Sequence, residues 1–197
     1  ETESRFLSVT LVPVYHDLGS NCPQAPAVSE TDVALMAEYL KAYNPVDDEY
    51  MRVREPVTYT NSMSSFNGIL NALAQLKSQD GAPSGDYYYG LLRPCDGGAG
   101  TGNGIVAGQA ISIPGPPTMG NSSSRIAVGR WTVTDIGTEE EPELVVSVST
   151  RETFVHEIGH QMMTPTADST RACVIAAARR TSRRQRCCAI SSSAACW

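Results

Sequence analysis

Apolar and polar positions change their spacing several times along this chain, and each change predicts an element. Residues 5–15, RFLSVTLVPVY, are dense in apolar and β-branched side chains and run into a loop marked by Gly19, Pro23 and Pro26, which predicts a buried strand. From Ser29 the period becomes helical. Val33, Met36, Ala37, Leu40 and Tyr43 fall on one face, Ser29 and Asp32 take N-cap and N3 positions, and Pro45 stops the run. RVREPVTYT alternates but contains Pro56, whose missing N–H suits only a sheet edge. A second helix is predicted after Ser62, with Phe66, Ile69, Leu70, Leu73 and Leu76 inward and Gly81-Ala82-Pro83 at its end. DYYYGLL, GIVAGQAISI and RIAVGRWTV follow as three strands, and Tyr87, Tyr88 and Tyr89 alternate across the first of them in core-and-rim roles.

The last patterned segment opens a third helix. Ser149 followed three residues later by Glu152 has the spacing of a capping box, which starts the helix at about Thr150. Phe154, Val155 and Ile158 then face the sheet, and His156 and His160 stand one turn apart on another face. The order of elements predicts an α/β (α+β) fold: a mixed twisted sheet with backing helices, in one domain over residues 1–163 of the 197, followed by a tail over 164–197.

Composition narrows the function. A hydrophobic content of 41% and a charged content of 18% are ordinary for a globular protein, and no apolar run approaches the ~20 residues of a membrane helix. No membrane partner is expected. The first residue is Glu1 rather than Met, which suggests that the numbering starts inside a longer product or after processing. Residues 1–163 carry a net −11, which disfavours nucleic acid, whereas residues 164–197 carry +5 from six Arg and one Asp. That Arg cluster is the one weak exception to the no-nucleic-acid reading. Six cysteines suit an oxidising compartment, so a secreted or extracellular location is expected. Their fifteen pairings stay open. Cys173, Cys187, Cys188 and Cys196 crowd into the segment 164–197, a basic Cys/Arg/Ser-rich tail read as disordered, cysteine-stapled, or the product of a shifted reading frame.

Chemistry concentrates in TFVHEIGHQM. Two imidazoles at i and i+4 on a helix can bind one zinc from the same side, and Glu157 beside the first is the candidate general base. Gly159 is expected to leave room for a close helix approach. The segment resembles the active-site helix of zincin metallopeptidases, and TFVHEIGH is especially similar to the metzincins. With the YYYGL strand and the Gly-rich loop, the likeness extends to some secreted bacterial metallopeptidases and covers about residues 5–163. It implies the N-terminal subdomain of such an enzyme, with His156 and His160 as Zn2+ ligands, Glu157 as catalytic base, and a protein or peptide substrate. The family places Gly and then the third ligand where this chain has Met163 and Thr166, and no Met follows Met163 to supply the family's Met-turn. Asp168 is therefore the candidate third ligand, with Cys173 and His16 as alternatives; His16 by itself reads as a solvent-facing loop residue.

Two readings follow. One is a zinc-dependent endopeptidase whose extended substrate adds to an exposed sheet edge near GIVAGQAISI. The other is a truncated or non-catalytic relative without a third ligand, at most a peptide-binding module. Two further motifs read as structure: DGGAGTGNG opens a strand rather than a helix and reads as a surface loop, and TEEEPE reads as a solvated acidic turn.

Overall fold

The strand β1 (Phe6–His16) is buried along most of its length because parallel neighbours flank it and helices cover both its faces. The computed structural model describes residues 6–19, 21–44, 46–96, 100–101, 104–111, 125–138 and 140–162. These form α1 (Glu30–Tyr43), α2 (Asn67–Gln79) and α3 (Val148–Met162) with β2 (Asp48–Val53), β3 (Val57–Tyr59), β4 (Tyr87–Leu92), β5 (Gly100–Thr101), β6 (Gly104–Ile105), β7 (Gly108–Ala110), β8 (Ile126–Arg130), β9 (Val133–Asp135) and β10 (Leu144–Val146). The main sheet runs β2-β1-β4-β8-β7, and β3 pairs the end of β1 beyond β2. All its pairings are parallel except that of β7 with β8. The fold is the expected mixed α/β one.

Chain direction decides which helix covers which face. The β1-α1-β2 crossover moves to one side of β1 and the β3-α2-β4 crossover moves back across it, so crossovers of one hand put the two helices on opposite faces. Leu7, Val9, Leu11, Tyr87, Tyr89, Leu91 and Ala127 pack with Met36 and Leu40 of α1 and Phe154 and Ile158 of α3. Val12, Val14, Tyr88, Leu92, Ile126 and Val128 pack with Ile69, Leu70 and Leu73 of α2. The three tyrosines alternate as expected, and all are buried.

Local signals hold at α1. Ser29 Oγ accepts the Asp32 N–H at 3.1 Å and Asp32 Oδ2 accepts the Ser29 N–H at 2.9 Å. Buried Asp32 also reaches outside its helix, where Oδ1 accepts the Val146 N–H at 2.6 Å and ties α1 to the strand that leads into α3. Tyr43 departs from the expected inner face, being 57% exposed in the last turn of the helix. In α2 Lys77 joins Ile69, Leu70 and Leu73 among the buried residues, while Leu76 is partly buried and packs against the same cluster. The Lys77 ammonium donates to the Asp86 carbonyl, and burial pushes its pKa down to about 8.

Tertiary pairing divides three of the predicted strands. The edge segment starts earlier than expected, at Asp48, and breaks around Pro56 into β2 and β3. GIVAGQAISI becomes β6, which pairs β5 in a separate two-stranded sheet, and β7, which closes the main sheet. RIAVGRWTV ends its main-sheet pairing at Arg130 and continues as β9, which pairs β10. Cys22 and Cys95 are disulfide-bonded with Cα atoms 4.8 Å apart, joining the loops that follow β1 and β4. Pro45 and residues 163–197, the whole basic tail included, lie outside the described residues.

Candidate metal centre

Helix α3 begins two residues earlier than the Ser149–Glu152 spacing predicts. Ser147 is the residue that caps it: its Oγ accepts the Thr150 N–H at 3.2 Å and its carbonyl accepts the Arg151 N–H at 3.1 Å. A hydroxyl cluster explains the choice. Thr132 Oγ1 lies 2.5 Å from Ser147 Oγ and 3.0 Å from Thr150 Oγ1, and the Thr132 N–H donates to Thr150 Oγ1 at 2.9 Å. These bonds tie the helix start to the chain just after β8, whereas Glu152 is exposed. At the other end Gln161 donates its amide to the Ile126 carbonyl at the start of β8. The helix therefore runs antiparallel to β8 along its full length.

One face of α3 is core. Phe154, Val155 and Ile158 are buried as expected, and Phe154 meets Tyr89 edge-on with ring centroids 4.9 Å apart. His156 is exposed and His160 half-buried, and the two rings stand perpendicular with centroids 4.4 Å apart. Their Nε2 atoms are 2.9 Å apart. With the proton of each neutral ring on Nδ1, each Nε2 carries a lone pair, and a cation could take the two together. Burial, and secondarily His156, push the His160 pKa below the usual imidazole value, which favours the neutral form that metals need.

Glu157 turns away from solvent, between those histidines in sequence but against the sheet in space. It is 7% exposed, and its carboxyl pKa is pushed up to about 7 by burial, offset in part by a hydrogen bond from the Ala110 backbone on β7. A carboxyl poised near neutrality can both take and return a proton. Tyr89, fully buried nearby, has its phenol pKa pushed well up by burial and then by the Glu157 charge.

The other candidate ligands separate. His16 is fully buried at the end of β1, not solvent-facing, and both ring nitrogens are engaged. Nε2 donates to the Asn61 carbonyl at 2.9 Å and Nδ1 accepts the Cys95 N–H at 2.9 Å, which fixes its tautomer and removes it as a ligand. Asp168 and Cys173 lie outside the described residues. Among the described residues no group of three His, Cys, Asp or Glu side chains could hold a metal ion. The donors present suit zinc in kind, since two imidazoles are ordinary zinc ligands, and they supply two positions of its set.

Gly159 has a smaller role than expected. A Cβ there would meet only Asn44 Oδ1, at 3.4 Å, so alanine would fit. The glycines that matter sit in the sheet, at Gly108 and Gly129, where a side chain would strike Thr153 and Tyr89 respectively. Isolated glycines inside predicted strands were the available signal for that close approach.

A scan against protein-family models matches none of them, and a search of the curated proteins likewise finds no match for this chain.

Proposed function

We propose that this chain is a zinc-dependent endopeptidase of the zincin type, resembling the metzincin N-terminal subdomain. The observation that carries the reading is the pair of Nε2 atoms 2.9 Å apart on the outer side of α3, with a buried carboxyl of pKa about 7 on the residue after the first histidine. His156 and His160 would hold the zinc. Bound zinc would supply Lewis-acid polarisation of a peptide carbonyl.

The chain's own residues supply the proton chemistry. Glu157, partly ionised at neutral pH, accepts a proton from the attacking water at a carboxylate oxygen and returns it to the leaving amine nitrogen. Among the described residues β7 is a short antiparallel edge strand beside α3, and an extended peptide could hydrogen-bond along the side turned away from β8. The Cys22–Cys95 disulfide supports an oxidising, extracellular setting. No helix among the described residues is long and apolar enough to cross a membrane.

A second reading has its own observation. With two histidines and no third donor among the described residues, the chain would be a non-catalytic relative, at most a peptide-binding module. Zinc content after exhaustive dialysis, with hydrolysis of an unfolded protein substrate by wild type and Glu157→Gln, separates the two. Stoichiometric zinc with activity abolished in Glu157→Gln upholds the peptidase; loss of zinc on dialysis with no hydrolysis upholds the relative.

A further inference from the structure

The seam between α3 and the sheet edge closes over two residues without side chains. Gly108 on β7 and Gly129 on β8 are direct partners in the antiparallel ladder. A Cβ on Gly108 would lie 2.5 Å from Thr153 Cγ2, 2.8 Å from the Val128 carbonyl oxygen and 3.1 Å from Glu157 Cγ. The Val128 oxygen is backbone in the next strand and cannot swing aside. A Cβ on Gly129 would overlap the Tyr89 hydroxyl and touch Thr153 Cγ2 at 3.4 Å. Neither glycine has a positive φ, so the backbone would accept alanine and the requirement is for space alone.

The ladder also fixes where the polar groups of β7 point. The Ile111 N–H donates to the Ile126 carbonyl and the Arg130 N–H to the Ala107 carbonyl. By alternation the N–H groups of Gly108 and Ala110 face away from β8, on the side where no strand among the described residues pairs with β7. Glu157 comes to that side and takes a hydrogen bond from Ala110.

We propose that Gly108 is a positioning residue for Glu157: its missing side chain lets α3 lie close enough to β7 for the Glu157 carboxyl to dock on the sheet edge. The proposal rests on the reading of Glu157 as the base. A methyl group at position 108 would fall short of ordinary contact with Thr153 Cγ2 by roughly an ångström and with Glu157 Cγ by a few tenths, so it would push both, and the helix that carries them, outward. The base would then be displaced while the two histidines, on the outer side of the same helix, keep their spacing.

The test compares the full chain with Gly108→Ala and with Gly90→Ala. The second substitution crowds Leu73 Cδ1 at 2.8 Å on the α2 face and so overpacks the same sheet away from Glu157. Three quantities are read: bound zinc, kcat and KM on a fluorogenic peptide, and hydrogen–deuterium exchange of the Ala110 amide by NMR. Gly108→Ala should keep the wild-type zinc content, lose roughly ten- to a hundredfold in kcat with little change in KM, and exchange Ala110 at least about tenfold faster. Gly90→Ala should lower the melting temperature and leave kcat and Ala110 exchange as in wild type. Equal losses in both variants, or unchanged Ala110 exchange in Gly108→Ala, would overturn the proposal. If the wild-type chain hydrolyses nothing, the peptidase reading fails and exchange alone decides. Ala110 protection lost in both Gly108→Ala and Glu157→Ala upholds the docking, and protection kept in both overturns it. Should Gly108→Ala not fold, Gly108→Ala with Thr153→Ser removes the methyl clash, retains the one with Glu157, and is read the same way.

Discussion

His156 and His160 bring their Nε2 atoms to 2.9 Å from each other across one turn of α3. With the ring protons on Nδ1, a divalent cation placed between the two rings takes both Nε2 lone pairs. Zinc added to the metal-free chain should therefore raise its melting temperature. The stabilisation should approach about 2.7 kcal/mol when free zinc reaches a hundred times its Kd. His156→Ala should abolish that rise, and a zinc response surviving this substitution would place the metal elsewhere.

Glu157 should make the metal-free chain less stable as pH rises. Its folded pKa of about 7 lies above the ordinary 4.5, so the folded state holds the extra proton between those values. Stability from this group is fully present below about pH 4.5 and is lost as pH rises through 7, by at most about 3 kcal/mol. Glu157→Gln should match wild type near pH 4 and be the more stable of the two at pH 8. Urea titrations at the two pH values measure this, and equal midpoints at pH 8 would contradict the burial argument.

The same substitution should lower hydrolysis by roughly two to four decades while leaving bound zinc in place, because it removes the proton acceptor and no ligand. Unchanged cleavage of a casein-type substrate would remove Glu157 from the role of base.

Reducing the Cys22–Cys95 bond should cost about 2–4 kcal/mol, since the bridge closes a long loop of the unfolded chain. Part of that cost should appear at His16, whose Nδ1 accepts the Cys95 N–H. Denaturation of Cys22→Ser with and without reductant checks it: the variant should match reduced wild type and show no further response.

Tyr89→Phe should stabilise the chain by about 1 kcal/mol. The Tyr89 hydroxyl is buried with no hydrogen-bond partner among the described residues, and its removal relieves an unmet desolvation cost while the ring keeps its contact with Phe154. A lower urea midpoint in the variant would mean that the hydroxyl has a partner in the folded protein.

What the sequence determined by itself is what local geometry encodes. The 3.6-residue period puts His156 and His160 on one face of a helix and Phe154, Val155 and Ile158 on another, whatever the sheet does. The Ser29–Asp32 box and the alternation of Tyr87, Tyr88 and Tyr89 are equally local, for each depends on residues at most three apart. Tertiary structure decided everything that depends on which strands meet. The hydroxyls of Thr132 and Ser147, 15 residues apart, moved the start of α3 ahead of the box that the sequence offers. Sheet order turned His16 into a buried, fully bonded side chain and paired Cys22 with Cys95 across 73 residues. The seat of Glu157 belongs to this second kind. Gly108 and Gly129 are 21 residues apart, and only their pairing across β7 and β8 opens the gap into which α3 settles. A glycine in a predicted strand announces that something comes close; what comes close is set by contacts that no local period records.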